Sequence, residues 1–129
     1  MFHGYTYSAV PCSVAAGLAM QDIFEKEDLF NRAKEMSPYF LDGLFSLKDI
    51  EGIADIRGFG MMGGIDLRMD ERLGKAGYAC FKSLFASGLS LKATGDCLIV
   101  APPFISEKKH IDEMIEKLRT GITNYFKDQ

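Results

Sequence analysis

Gly58-Phe59-Gly60-Met61-Met62-Gly63 is a literal G-x-G-x-x-G. In a dinucleotide loop that spacing lets the backbone approach a pyrophosphate held at a helix N-terminus. Such chemistry needs a helix directly after the glycines. The next residues in the chain are Gly64-Ile65-Asp66-Leu67-Arg68, whose alternation suits a strand, and each glycine there would cost a helix about 1 kcal/mol relative to alanine. No second strand ending in an acidic residue lies about twenty positions on, where a ribose would be held. The glycines are therefore read as the turn and close-packing positions of a β-hairpin.

Other residues with chemical potential are scattered. Phe2, His3, Tyr5, Thr6 and Tyr7 crowd the opening loop, a costly group to expose unless it meets a ligand or partner. Lys92 is the one charge in the apolar-to-small stretch Leu89–Ala93, fitting either a snorkelling edge residue or a ligand contact. Ser8 and Ser13 have no evident His or Asp partners. Asp96 falls in a turn, where aspartate bonds the local backbone. Cys12, Cys80 and Cys97 form no C-x-x-C pair and read as free thiols of a reducing compartment, the latter two within apolar, buried segments. The two histidines, His3 and His110, lie far apart, and no His/Cys cluster has metal-ligand spacing. No metal is expected.

The elements that must position these groups emerge from the pattern. With 129 residues, 47% hydrophobic and 26% charged, the chain is one globular domain spanning 1–129. A net charge of −3 without a basic stripe argues against a nucleic-acid surface. Charges in "FEKEDLFNRAKE" read as solvated helix faces. There is no signal peptide and no apolar run of membrane-spanning length, so a cytoplasmic location is expected. Residues 1–10 read as an extended loop. A helix begins at Pro11, and a second places Phe30, Ala33, Ser37, Phe40, Leu41 and Leu44 on one stripe, with Pro38 as a kink or break. Two strands meet near Gly58–Gly60. A short helix ends at Gly88, two short strands flank Thr94-Gly95-Asp96, and a final helix capped by Ser106 carries Ile111, Met114, Ile115, Leu118, Ile122 and Phe126. The expected fold is α+β, a small and largely antiparallel sheet with helices packed on one face.

Three ordered motifs carry a resemblance. "FHGYTYSAVP" resembles the F-x-H-G-[YF]-T-[YF]-S-G-H-P neighbourhood of class III aminotransferases, the ω-amino-acid enzymes that use pyridoxal phosphate. "IADIRGFGMMGGIDL" is similar to their hairpin, and "GLSLKATGDCLIVAPPFI" to their G-[LV]-[LI]-x-R-x-x-G-[DN] segment. Ser106 through Leu118 matches their closing helix loosely. The resemblance spans essentially the whole chain and implies the C-terminal small domain of a fold-type-I enzyme.

By that resemblance, Tyr5 and Thr6 would contact the cofactor bound in a neighbouring subunit, Thr6 hydrogen-bonding its phosphate, and Tyr5 would also line that subunit's substrate pocket. Lys92 stands where many members have an arginine that clamps the substrate carboxylate, and Arg57 is assigned to structure, on backbone carbonyls or a carboxylate. Two departures matter. Ser8-Ala9-Val10-Pro11 replaces S-G-H-P, and Lys92 lacks the planar fork of arginine. The implied activity moves an amino group from an ω-amino acid or amine to a 2-oxo acid such as pyruvate. The implied partners are the large cofactor-binding domain and a second copy in a homodimer. The Schiff-base lysine is expected upstream of these residues, so the chain alone should contribute no catalytic residue. The alternative is a free-standing binding or interaction module derived from the same fold.

Overall fold

A computed structural model describes residues 4–68 and 72–127; Phe2 and His3 lie outside them. Helix α1 (Pro11–Lys26) starts on Pro11 in its first turn, where the missing N–H breaks no helical bond. The chain then turns through Asp28, which adopts the left-handed conformation at φ 50°, and Asn31 Nδ2 donates to both Asp28 carboxylate oxygens at 2.9 and 3.1 Å. Helix α2 (Leu29–Phe45) runs unbroken through the expected break point, Pro38. Its ring removes one helical hydrogen bond at an exposed position, and the packing of Phe40 and Leu44 holds the helix together across it.

The hairpin reading is met by β1 (Ile53–Phe59) and β2 (Met62–Leu67), joined at Gly60, which takes φ +59°. After α3 (Lys75–Ala86) come β3 (Lys92–Thr94), β4 (Cys97–Val100) and α4 (Lys108–Lys127). The sheet is wholly antiparallel in the order β1-β2-β4-β3. Gly88 ends α3 as expected: its N–H donates to the Phe85 carbonyl at 3.0 Å and the next N–H, of Leu89, to Leu84 at 2.9 Å. This is the paired bonding of a Schellman stop.

Helices α2, α3 and α4 cover one face of the sheet. Phe40, Leu44, Leu84, Leu118 and Ile122 meet Ile65 and Leu98 with essentially no solvent exposure, each burial contributing about 1.5–3 kcal/mol. Two glycines are required by the close approach of α2: a Cβ on Gly58 or Gly63 would lie 2.5 or 2.2 Å from a Leu side chain of that helix. The α4 stripe is buried as its period predicts, with Ile115 and Phe126 at its margin.

Three expectations need correction. Phe30 is 65% exposed rather than in the core, because it stacks with Phe24 and meets Phe104 at the surface. Ser106 does not cap α4; the helix starts at Lys108, and Ser106 is buried. The preceding N–H, of Glu107, donates to His110 Nδ1 at 3.0 Å, the reaching-back half of a capping box. Arg32, read as part of a solvated face, donates to the carbonyls of Phe104, Ile105 and Ser106 at 3.0–3.3 Å, pinning that loop to α2.

Candidate functional site

The sheet face opposite the helices is open. Antiparallel register sets one row across all four strands: Lys92 faces Ile99, Ile99 faces Gly64, and Gly64 faces Arg57. Successive strands lie about 4.8 Å apart, so the two cationic ends of the row are about 14 Å apart. Between them Arg57, Phe59, Met62, Gly64, Cys97 and Ile99 line a largely apolar concavity of about 430 Å³. Its rim is formed by the hairpin turn, where Phe59 is 90% exposed.

Arg57 is tied down. Its Nη1 donates to Asp66 Oδ2, its Nη2 to Asp66 Oδ1 at 3.1 Å, and Nη1 also reaches Asp55 Oδ2 at 3.4 Å. The carboxylate alternative for Arg57 is thus the one realised, within the chain itself. The guanidinium hydrogen bond holds Asp66 below the ordinary carboxylate range. The Asp66 bond in turn keeps Arg57 firmly protonated. Nη2 also lies 3.6 Å from Cys97 Sγ, a half-buried thiol whose pKa is raised, first by desolvation and then by its hydrogen bond to Asp66.

Lys92 is exposed on the edge strand and makes no ion pair among the described residues. Its position is secured from behind. Asp96, 8% exposed, accepts the Gly74 N–H on Oδ2 at 2.8 Å and the Gly77 N–H on Oδ1 at 3.0 Å. The expectation that Asp96 bonds its local backbone is corrected: its partners are nineteen and twenty-two residues away. The sequence signal is the pair of glycines at 74 and 77: Gly74 takes φ +84° at the helix start, and the missing side chain of Gly77 lets the β3–β4 turn reach the helix.

The opening residues stand apart from this face. The Ser8 N–H donates to the Tyr5 carbonyl at 3.0 Å, closing a turn that presents the Thr6 hydroxyl to solvent, where it makes no hydrogen bond among the described residues. Tyr5 is 69% and Tyr7 89% exposed. Helix α1 carries this turn outward: sixteen residues span about 24 Å, and none of its side chains is buried. Val14, Leu18, Met20 and Ile23 are all more than two-fifths exposed, an apolar surface of the kind that marks an interface. The structure therefore presents Tyr5 and Thr6 from one element and Lys92 from another.

No lysine among the described residues is buried. Among the described residues no group of His, Cys, Asp and Glu is placed to hold a metal ion, and no helix is long and apolar enough to cross a membrane. Against a pyridoxal phosphate cofactor the donor set fits at one end only: the exposed Thr6 hydroxyl suits a phosphate oxygen, while no lysine has an enclosed setting for the carbonyl end.

A family model described as aminotransferase class III matches residues 1–122. The chain is 41% identical over 120 residues to an omega-aminotransferase of Caulobacter vibrioides, covering 92% of this chain and 27% of that protein. It is 34% identical over 119 residues to an omega-amino acid–pyruvate aminotransferase of Pseudomonas putida, covering 88% of this chain and 26% of that one. Among solved structures, the adenosylmethionine-8-amino-7-oxononanoate aminotransferase of Methanocaldococcus jannaschii superposes with a TM-score of 0.83 at 31% identity, over 96% of this chain and 30% of its own. The chain spans little more than a quarter of the length of the curated relatives it matches.

Proposed function

This chain belongs to the class III aminotransferases, and from that premise we propose that it is the C-terminal small domain of a pyridoxal-phosphate-dependent, fold-type-I transaminase. The enzyme moves an amino group from an ω-amino acid or amine to a 2-oxo acid such as pyruvate. The relatives named for ω-amino acids and pyruvate support the substrate class. The observation that carries the domain reading is the bare apolar flank of α1. A free-standing module would leave that surface in water, whereas a small domain seated on a large domain and a second subunit covers it. Three free thiols accord with a cytoplasmic enzyme.

Each site residue then has a physical task. The Thr6 hydroxyl donates to a phosphate oxygen of the cofactor held in the neighbouring subunit. Tyr5, preceding it in the same turn, supplies an aromatic wall to that subunit's substrate pocket. Lys92 holds the substrate carboxylate as a point charge, with less directional grip than a guanidinium fork. Arg57 keeps the hairpin together and takes no part in substrate binding. Pyridoxal phosphate, when bound, supplies the electron sink for the reaction; the lysine that carries it belongs to the large domain, since every lysine here is exposed or half-exposed.

The test is transamination by the enzyme containing these residues, with ω-amino acids and simple amines offered against pyruvate. Alanine formed in step with donor consumed is the expected result. An enzyme that transfers no amino group to any 2-oxo acid overturns the reading.

A further inference from the structure

We propose that Asp96 is the positioning residue for Lys92, fixing the edge strand so that its ammonium group stands at a set place on the open face. The inference rests on the reading of Lys92 as the substrate-carboxylate contact.

β3 is three residues long, lies at the sheet edge and pairs only with β4. Such a strand has one row of ladder bonds to hold it and would fray if its turn were loose. The turn is anchored on three sides. The Asp96 carboxylate takes the N–H groups of Gly74 and Gly77 at the start of α3. Its carbonyl accepts the Leu67 N–H of β2 at 2.9 Å. The third contact is steric: a Cβ on Gly77 would lie 2.1 Å from the Gly95 carbonyl oxygen and 3.0 Å from the Asp96 Cα. Helix and turn are therefore in direct backbone contact, and no side chain intervenes to take up slack.

The carboxylate is also chemically suited to this place. It meets unpaired N–H donors at the positive end of a helix dipole while nearly excluded from water, which makes its hydrogen bonds stronger than those of an exposed aspartate. Lys92 is four residues along the chain from this anchor. A side chain with so many rotamers places its charge reproducibly only if its backbone is fixed.

The experiment compares Asp96→Ala, Asp96→Asn and Lys92→Ala in the enzyme containing these residues, using one donor with a carboxylate and one without. Hydrogen exchange is followed by mass spectrometry over the peptides spanning Gly74–Gly77 and Lys92–Thr94. The expected result is faster exchange in both peptides for Asp96→Ala, a smaller effect for Asp96→Asn, which keeps one acceptor oxygen, and a rise of about ten- to a hundredfold in KM for the carboxylate donor. The ratio of kcat/KM between the two donors should fall in the same direction as for Lys92→Ala. Equal losses of kcat on both donors would make Asp96 merely structural and overturn the proposal. Faster exchange with an unshifted donor ratio would overturn it too, provided Lys92→Ala does shift that ratio. If Lys92→Ala leaves the ratio unshifted, the reading of Lys92 itself has failed and the proposal falls with it.

Discussion

Arg57 on β1 holds both carboxylate oxygens of Asp66 on β2, and the same guanidinium reaches Asp55, the residue that faces Asp66 directly across the hairpin. Two carboxylates opposed on neighbouring strands repel. The arginine, two pairing steps along and so on the same face, converts that repulsion into a three-residue clamp. An apparent phosphate loop is thus a hairpin closed by charge on one face and by Leu44 against Gly63 on the other.

Replacing Arg57 with methionine should lower the urea midpoint, and by more near pH 7 than near pH 3. Arg57 is the main reason that Asp66 has a depressed pKa. The stability it confers is therefore complete above the ordinary carboxylate value and lost as pH falls through the lowered one. An equal loss at both pH values would contradict the clamp.

Gly77→Ala should destabilise the chain by about 1–3 kcal/mol, as overpacking does, despite the gain of about 1 kcal/mol that alanine brings to a helix. The Gly95 carbonyl is backbone and cannot move aside without breaking the anchor at Asp96. Chemical denaturation reads the outcome; a stabilised variant would mean the turn is not seated on α3.

The three thiols should differ sharply toward a maleimide. Cys12 is exposed on α1 and Cys97 half-buried, so they react in that order. Cys80 is fully buried, its pKa pushed up to about 12 by desolvation and then by the charge of Asp96, and it should react only after unfolding. In an assembled enzyme that covers α1, Cys12 should become slow as well. Mass spectrometry of the labelled peptides checks both statements.

Thr6→Val in the enzyme should weaken cofactor binding by about ten- to a hundredfold, the range for one hydrogen bond to a charged group. The readout is a titration of the apoenzyme with pyridoxal phosphate, followed by its absorbance. Unchanged affinity would remove Thr6 from the phosphate site.

Elements built on strong periodicity were legible in the sequence. The α4 stripe, the hairpin about Gly60 and the Gly88 stop all stand where spacing and glycine chemistry place them. Interactions between segments distant in sequence were not. Arg32 looked like one more charge in a run of paired charges, yet it binds three carbonyls some seventy residues away. Asp96 looked like an ordinary turn aspartate, because nothing local announces that α3 starts beside it. Phe30 fits the helical stripe but is exposed, its ring against Phe24 and Phe104 rather than the core. Of the proposed site, the crowded opening loop and the lone charge of Lys92 mark Tyr5, Thr6 and Lys92 as unusual, but their roles come from motif resemblance, since their proposed partners belong to other parts of the enzyme.

The lysine that carries the cofactor is proposed to lie outside these 129 residues. Incubating the chain with pyridoxal phosphate, reducing with borohydride and mapping the product by mass spectrometry tests it directly. The expected result is scattered, substoichiometric labelling of surface lysines and no defined adduct. A stoichiometric pyridoxyl group on one lysine would place the Schiff-base residue within this chain instead.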